Sequence, residues 1–125
     1  MEVQSRILIV EDDIVNCELL EILMKRKNLP YLIAYDGIEA LKVFEQHPEI
    51  NLVLLDIRLP KLSGEVVLSK MKALRPHVPI IVQTAYVFEV DRDLFFSLGC
   101  DDYITKPIMR DQLYEKIGYW LKKEI

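Results

Sequence analysis

The chain has 125 residues, a formal net charge of −4, 51% hydrophobic and 29% charged residues. That is enough apolar surface for one packed domain, about 14 Å in radius of gyration, so a single domain over residues 1–125 is expected. The longest apolar runs, 7–10 and 52–55, are far shorter than the ~20 residues a bilayer span requires, so no membrane insertion is expected. The two cysteines, Cys17 and Cys100, make neither a disulfide framework nor a metal cluster, and mild acidity without a basic block argues against direct nucleic-acid binding. Residues 1–6 lack the charged and apolar regions of a secretory signal, which together with the cysteine usage points to a reducing, cytoplasmic setting.

In chain order, 7–10 is an aliphatic first strand, and 13–27 a helix with Asn16, Leu19, Leu20 and Leu23 on one face. Residues 31–35 form the second strand. Asp36-Gly-Ile-Glu39 has the spacing of a capping box and opens a helix that buries Ala40, Leu41 and Phe44. Residues 50–56 are the third strand; Ser63 caps a third helix carrying Val67, Leu68 and Met71. Residues 80–84 are the fourth strand. A fourth helix holds Leu94, Phe95 and Leu98 and ends at Gly99, a residue suited to a left-handed cap. Residues 102–105 are the fifth strand, and the last helix carries Leu113, Ile117, Trp120 and Leu121. All six prolines fall between these segments, where a fixed φ and a missing N–H do least harm.

Strand–helix alternation repeated five times predicts an α/β fold with a doubly wound parallel sheet. Ligands of such folds sit beyond the carboxyl ends of the strands. Those ends are chemically pointed. The first strand runs into Glu11, Asp12 and Asp13, the third into Asp56, the fourth into Thr84 and Ala85, and the fifth into Lys106 and Pro107. Two carboxylates ~4 Å apart repel by roughly 4 kcal/mol at an effective dielectric of 20, so such a rim needs a cation. Oxygen donors suit a hard divalent ion, Mg²⁺ first, then Mn²⁺ or Ca²⁺. A metal, a lysine and a threonine hydroxyl around one free carboxylate suit phosphoryl transfer to that carboxylate.

The motifs Ile7-Leu-Ile-Val-Glu-Asp-Asp13, Leu54-Leu-Asp-Ile-Arg-Leu-Pro60 with Gly64, Thr84-Ala85, and Gly99-Cys-Asp-Asp-Tyr-Ile-Thr-Lys-Pro107 stand in this order, each at a strand end. Together they resemble the receiver domain of two-component response regulators over essentially the whole chain. The last phrase is most similar to receivers of hybrid sensor histidine kinases. The resemblance implies a flavodoxin-like fold with strand order 2-1-3-4-5 and Asp56 as phosphoacceptor. It implies Mg²⁺ on Glu11, Asp12, Asp56 and the Arg58 backbone carbonyl, and phosphoryl oxygens on Thr84, the Ala85 N–H and Lys106. It implies Thr84 and Tyr103 as the switch pair, a cis Lys106–Pro107 bond, and a histidine kinase or histidine phosphotransfer domain as donor. The family uses the fourth helix–fifth strand–fifth helix face for partners and dimers; Phe88 and Phe96 would add an apolar patch there. The chain is expected to be a free-standing receiver or one excised from a longer protein, promoting its own phosphorylation and slow dephosphorylation. Arg58 and Tyr86, overhanging the acceptor, would slow attack by water.

Other residues carry plainer expectations. Asp13, Asp101 and Asp102 are caps or solvated acids, His47 and His77 exposed loop residues, and Cys17 and Cys100 packing residues. Gln83, polar within a buried strand, requires a hydrogen-bond partner that the sequence does not name. The rival readings are a flavin-binding flavodoxin, whose phosphate loop the acids would repel, and a dehalogenase-type phosphatase, whose second acid is replaced by Arg58. The strongest rival is a receiver-like interaction module that works without phosphorylation.

Overall fold

The computed structural model describes residues 4–85 and 89–125, with backbone only at 89 and 90. Five strands form one sheet in the order β2-β1-β3-β4-β5: β1 Arg6–Val10, β2 Tyr31–Ala34, β3 Ile50–Asp56, β4 Ile80–Thr84 and β5 Asp102–Thr105. All four pairings are parallel. The helices are α1 Ile14–Arg26, α2 Gly37–Gln46, α3 Gly64–Leu74, α4 Glu89–Ser97 and α5 Arg110–Leu121. Fold class and strand order agree with the expectation.

Side chains alternate across a sheet with a period of two, which divides the core. Leu8, Val10, Val53, Leu55, Ile80 and Val82 face α2, α3 and α4 through Ala40, Phe44, Val67, Leu68, Met71 and Phe95. Ile7, Ile9, Leu52, Leu54, Ile81 and Ile104 face α1 and α5 through Leu20, Leu23, Met24, Leu113 and Ile117. Strands covered on both sides favour aliphatic residues on both faces, hence the nearly continuous apolar runs of β1, β3 and β4.

Local chemistry sets the helix starts. Asp13 accepts the Val15 N–H at 3.0 Å, Asp36 the Glu39 N–H at 2.8 Å, and Ser63 the Val66 N–H at 3.4 Å. Gly64 meets the carbonyl end of β3 so closely that a Cβ would lie 2.5 Å from the Ile57 oxygen. Only glycine lets α3 begin this near to Asp56. Gly99, at φ +107°, turns the chain out of α4 as expected.

Three expectations need correction. Leu19 and Leu94 are exposed, not core. On α1 the buried stripe is Cys17, Leu20, Leu23 and Met24, because the helix turns about one residue from the face assigned to it. Asp101 and Asp102 are neither caps nor solvated. Asp101 accepts both the Lys72 ammonium and the Ile80 N–H at 2.8 Å. Asp102 accepts Lys116 at 2.8 Å and the Trp120 indole N–H at 2.9 Å, tying β5 to α5. His47 lies 3.1 Å from Glu49, while His77 is exposed as expected.

Candidate functional site

The period-two alternation that divides the core also aims the site. Counting on from Ile9, Leu54, Ile81 and Ile104, the positions Glu11, Asp56, Gln83 and Lys106 fall on the α1–α5 side of the sheet at its carboxyl edge. Asp56 and Gln83 are register partners. Glu11 extends the ladder, its N–H donating to the Ala34 carbonyl at 3.0 Å. The Lys106 N–H donates to the Thr84 carbonyl at 2.8 Å, which fixes where the lysine side chain starts.

The charges meet there. Glu11 is fully buried and Asp56 nearly so, at 4% exposure. Lys106 Nζ bridges them, 2.9 Å from Glu11 Oε1 and 3.1 Å from Asp56 Oδ2. Asp56 Oδ1 accepts the Arg58 N–H at 3.1 Å. Exposed Asp12 closes the group: Glu11, Asp12 and Asp56 each bring a carboxylate oxygen within 4.8 Å of the others. Lys106 is one ammonium held between two carboxylates, with a third beside them, so negative charge is crowded at this edge. Its trace is Glu11, whose carboxyl is held above its ordinary pKa by burial and the hydrogen bond with Asp56, against the pull of Lys106. Lys106 is also shifted upward: burial lowers its pKa, but the two acids outweigh it. A donor set made only of oxygens, open to solvent at Asp12 and crowded with negative charge, fits a hard divalent cation.

Most of the expected residues converge. Glu11, Asp12, Asp56, Lys106 and the Arg58 amide surround one point; Thr84 is buried at the same edge, and Ala85 follows it at the surface. The Lys106–Pro107 bond is cis. Tyr86 and Phe88 lie outside the described residues. By alternation Thr84 and Tyr103 share the opposite face of the sheet, with Tyr103 paired to Val82 and Thr84 to Thr105. Tyr103 is half-buried: Arg92 donates to its hydroxyl at 2.8 Å, and Phe96 packs edge-on at 6.1 Å.

This arrangement is a known one. The sequence matches the response regulator receiver domain family over residues 7–118. The chain belongs to that family. The receiver aligns at 31% identity with hybrid signal transduction histidine kinase I of Dictyostelium discoideum, over 98% of this chain and 8% of that protein. It spans about half or less of the length of the curated relatives it matches. Among solved structures it resembles the receiver domain of a Pseudomonas aeruginosa sensor histidine kinase, which holds a magnesium ion in its active-site cleft. There the TM-score is 0.87 and identity 30%, covering 97% of this chain and 100% of that one. It also resembles the yeast Ssk1 receiver co-crystallised with the phosphotransfer protein Ypd1, with TM-score 0.88 and 27% identity over 95% and 91% of the two chains.

Sequence reasoning missed one part of the receiver's site. The Asn16 amide donates to Glu11 Oε1 and, at 3.4 Å, to Gln83 Oε1. Gln83 was visible as a polar residue in an apolar strand; that Asn16 is its partner gave no signal, because the two lie 67 positions apart. Cys17 sits alongside, its thiol 3.4 Å from the Glu11 carbonyl, and burial with the nearby acids pushes it up to about 11. Both thiols are protonated packing groups at neutral pH, Cys100 being pushed up to about 12.

Proposed function

We propose that Asp56 is the phosphoacceptor of this receiver and that the site works with Mg²⁺, Mn²⁺ being the natural substitute. The observation that carries the reading is a nearly buried carboxylate, held by Lys106 on one oxygen and the Arg58 N–H on the other, inside a three-acid cluster. Glu11, Asp12, Asp56 and the Arg58 carbonyl would hold the cation, which when bound neutralises charge on the phosphoryl oxygens.

The remaining work belongs to the chain. An Asp56 oxygen attacks phosphorus as the P–N bond to a partner's phosphohistidine breaks, and the imidazole leaves with the electron pair. Lys106, the Thr84 hydroxyl and the Ala85 N–H meet the phosphoryl oxygens, so catalysis is largely positioning and charge neutralisation. The acyl phosphate adds charge of about −1.5 to −2 and new acceptor oxygens. Drawn toward them, Thr84 leaves space on its own face of the sheet, and Tyr103 turns into it. The α4–β5–α5 face changes with it: Phe96 is 45% exposed and already touches Tyr103. That face is the dimer and partner surface in this reading, and Arg58 above the acceptor slows hydrolysis. A histidine kinase or phosphotransfer domain is the donor, supported by the hybrid-kinase relative and by the yeast receiver's co-crystallised partner. A cytoplasmic location and a single domain over residues 1–125 complete the proposal; no described helix is long and apolar enough to cross a membrane.

Acetyl phosphate with Mg²⁺, followed by intact-mass measurement, tests it. The wild-type chain gains one phosphoryl group and Asp56→Asn gains none. Labelling that survives in Asp56→Asn overturns the assignment, and no labelling of the wild type leaves the phosphorylation-independent module.

A further inference from the structure

Gln83 is fully buried, yet its Nε2 has no hydrogen-bond partner among the described residues. Its other amide atom, Oε1, accepts a 3.4 Å bond from Asn16 Nδ2. On the same face of β4 its neighbour is Ile81, and an aliphatic residue at 83 would extend that face without stranding a donor. Stability alone does not account for a glutamine here.

Its position does. Asn16 Nδ2 bonds Glu11 Oε1 as well as Gln83 Oε1, so a chain of contacts runs Gln83–Asn16–Glu11–Lys106–Asp56. Glu11 Oε1 takes two donors, Asn16 and Lys106, while Oε2 takes the Asp12 N–H at 3.2 Å. Most of the remaining lone-pair capacity is therefore on Oε2. A glutamate has one more rotatable bond than an aspartate, and a carboxylate beside two other acids tends to swing away from them. Lys106 cannot by itself prevent this, since it is shared with Asp56.

We propose that Asn16 and Gln83 are positioning residues for Glu11, fixing which of its oxygens the divalent cation meets. Gln83 holds the Asn16 amide, Asn16 holds the carboxylate, and the pair compensates for the longer acid at position 11. The inference rests on the reading of Glu11, Asp12 and Asp56 as the cation site.

Calorimetric titration of the full chain with MgCl₂ tests it, alongside melting curves without metal. Asn16→Ala is expected to weaken Mg²⁺ binding about tenfold, the lower end of what loss of an outer-sphere partner costs. Gln83→Met, one bond further out, should weaken it roughly threefold while melting no lower than wild type. In a Glu11→Asp background the shorter carboxylate does not reach Asn16, so adding Asn16→Ala should change affinity less than about twofold. Unchanged affinity in both single variants overturns the inference, as does an equal loss from Asn16→Ala in both backgrounds. A Gln83→Met chain that melts lower with unaltered affinity makes Gln83 a structural residue and overturns it too. Should Asn16→Ala not fold, Gln83→Met decides alone. Failure of the wild type to bind Mg²⁺ at all strikes the cation site itself.

Discussion

The two ends of the sheet handle acidic residues in opposite ways. At the amino end, Asp101 and Asp102 meet Lys72 and Lys116, one ammonium for each carboxylate. Backbone N–H groups and the Trp120 indole also donate to them, and Lys72 in turn caps the Pro76 and Val78 carbonyls at 3.0 Å. At the carboxyl end, Glu11, Asp12 and Asp56 cluster together, and Lys106 pairs with Glu11 and Asp56 at once. Paired groups at one end brace the fold; unbalanced groups at the other stand ready for a ligand. Burial alone does not decide the role, since the unbalanced cluster holds both the more buried acids, Glu11 and Asp56, and the exposed Asp12. The balance of charge does.

The largest effect should come from breaking the paired end. Asp101→Ala removes the carboxylate paired with Lys72, which keeps the Pro76 and Val78 carbonyls, and leaves the Ile80 N–H without its acceptor, so urea unfolding should show a loss of about 2 kcal/mol. A loss below about 1 kcal/mol would reduce it to an ordinary surface pair and dissolve the comparison. Next is a ligand effect confined to the other end. Mg²⁺ at ten times its dissociation constant should stabilise the chain by about 1.4 kcal/mol through binding linkage. The same increment should appear in Asp101→Ala, whose lesion lies at the far end of the strands.

Asp56→Asn should stabilise the metal-free protein by about 1 kcal/mol, a fraction of the bare repulsion because Lys106 already offsets part of it. It should also shrink the Mg²⁺ increment. A lower melting temperature for Asp56→Asn would mean that the rim carries no electrostatic strain. The smallest effect is the pH dependence of Asp102. Burial raises its pKa, but Lys116, Trp120 and the Tyr103 N–H outweigh this and hold it below the ordinary aspartate value. A depressed carboxylate stabilises the fold above its unfolded pKa, about 3.9, and the contribution fades as pH falls through the folded value. Asp102→Asn should therefore be less stable than wild type at neutral pH and should converge with it below about pH 4. Parallel curves down to pH 2 would show that the carboxylate charge of Asp102 does not matter to the fold.

Much of the site could be read before folding was considered. Glu11, Asp12, Asp56, Thr84 and Lys106 each end or follow a strand, and parallel strands covered by helices must deliver their carboxyl ends to one edge. Asn16 and Gln83 could not be paired in the same way. One lies on a helix face and the other inside a strand, and their meeting depends on the angle at which α1 crosses the sheet. Packing also leaves Leu19 outside the core, while Cys17 is buried as expected. Asp101 and Asp102 were misjudged because adjacent acids before a strand look solvated until α3 and α5 bring Lys72 and Lys116 alongside.

Periodicity and strand-end chemistry, both local properties of the chain, thus determined the α/β class, the five strands and the acids on one rim. Tertiary packing decided the rest: which lysine neutralises which carboxylate, which helix face is buried, and which amide steadies Glu11. The physical reason is range. Hydrophobic alternation is written in neighbours a few residues apart, whereas the 3.4 Å hydrogen bond between the side chains of residues 16 and 83 exists only after folding has brought the two together.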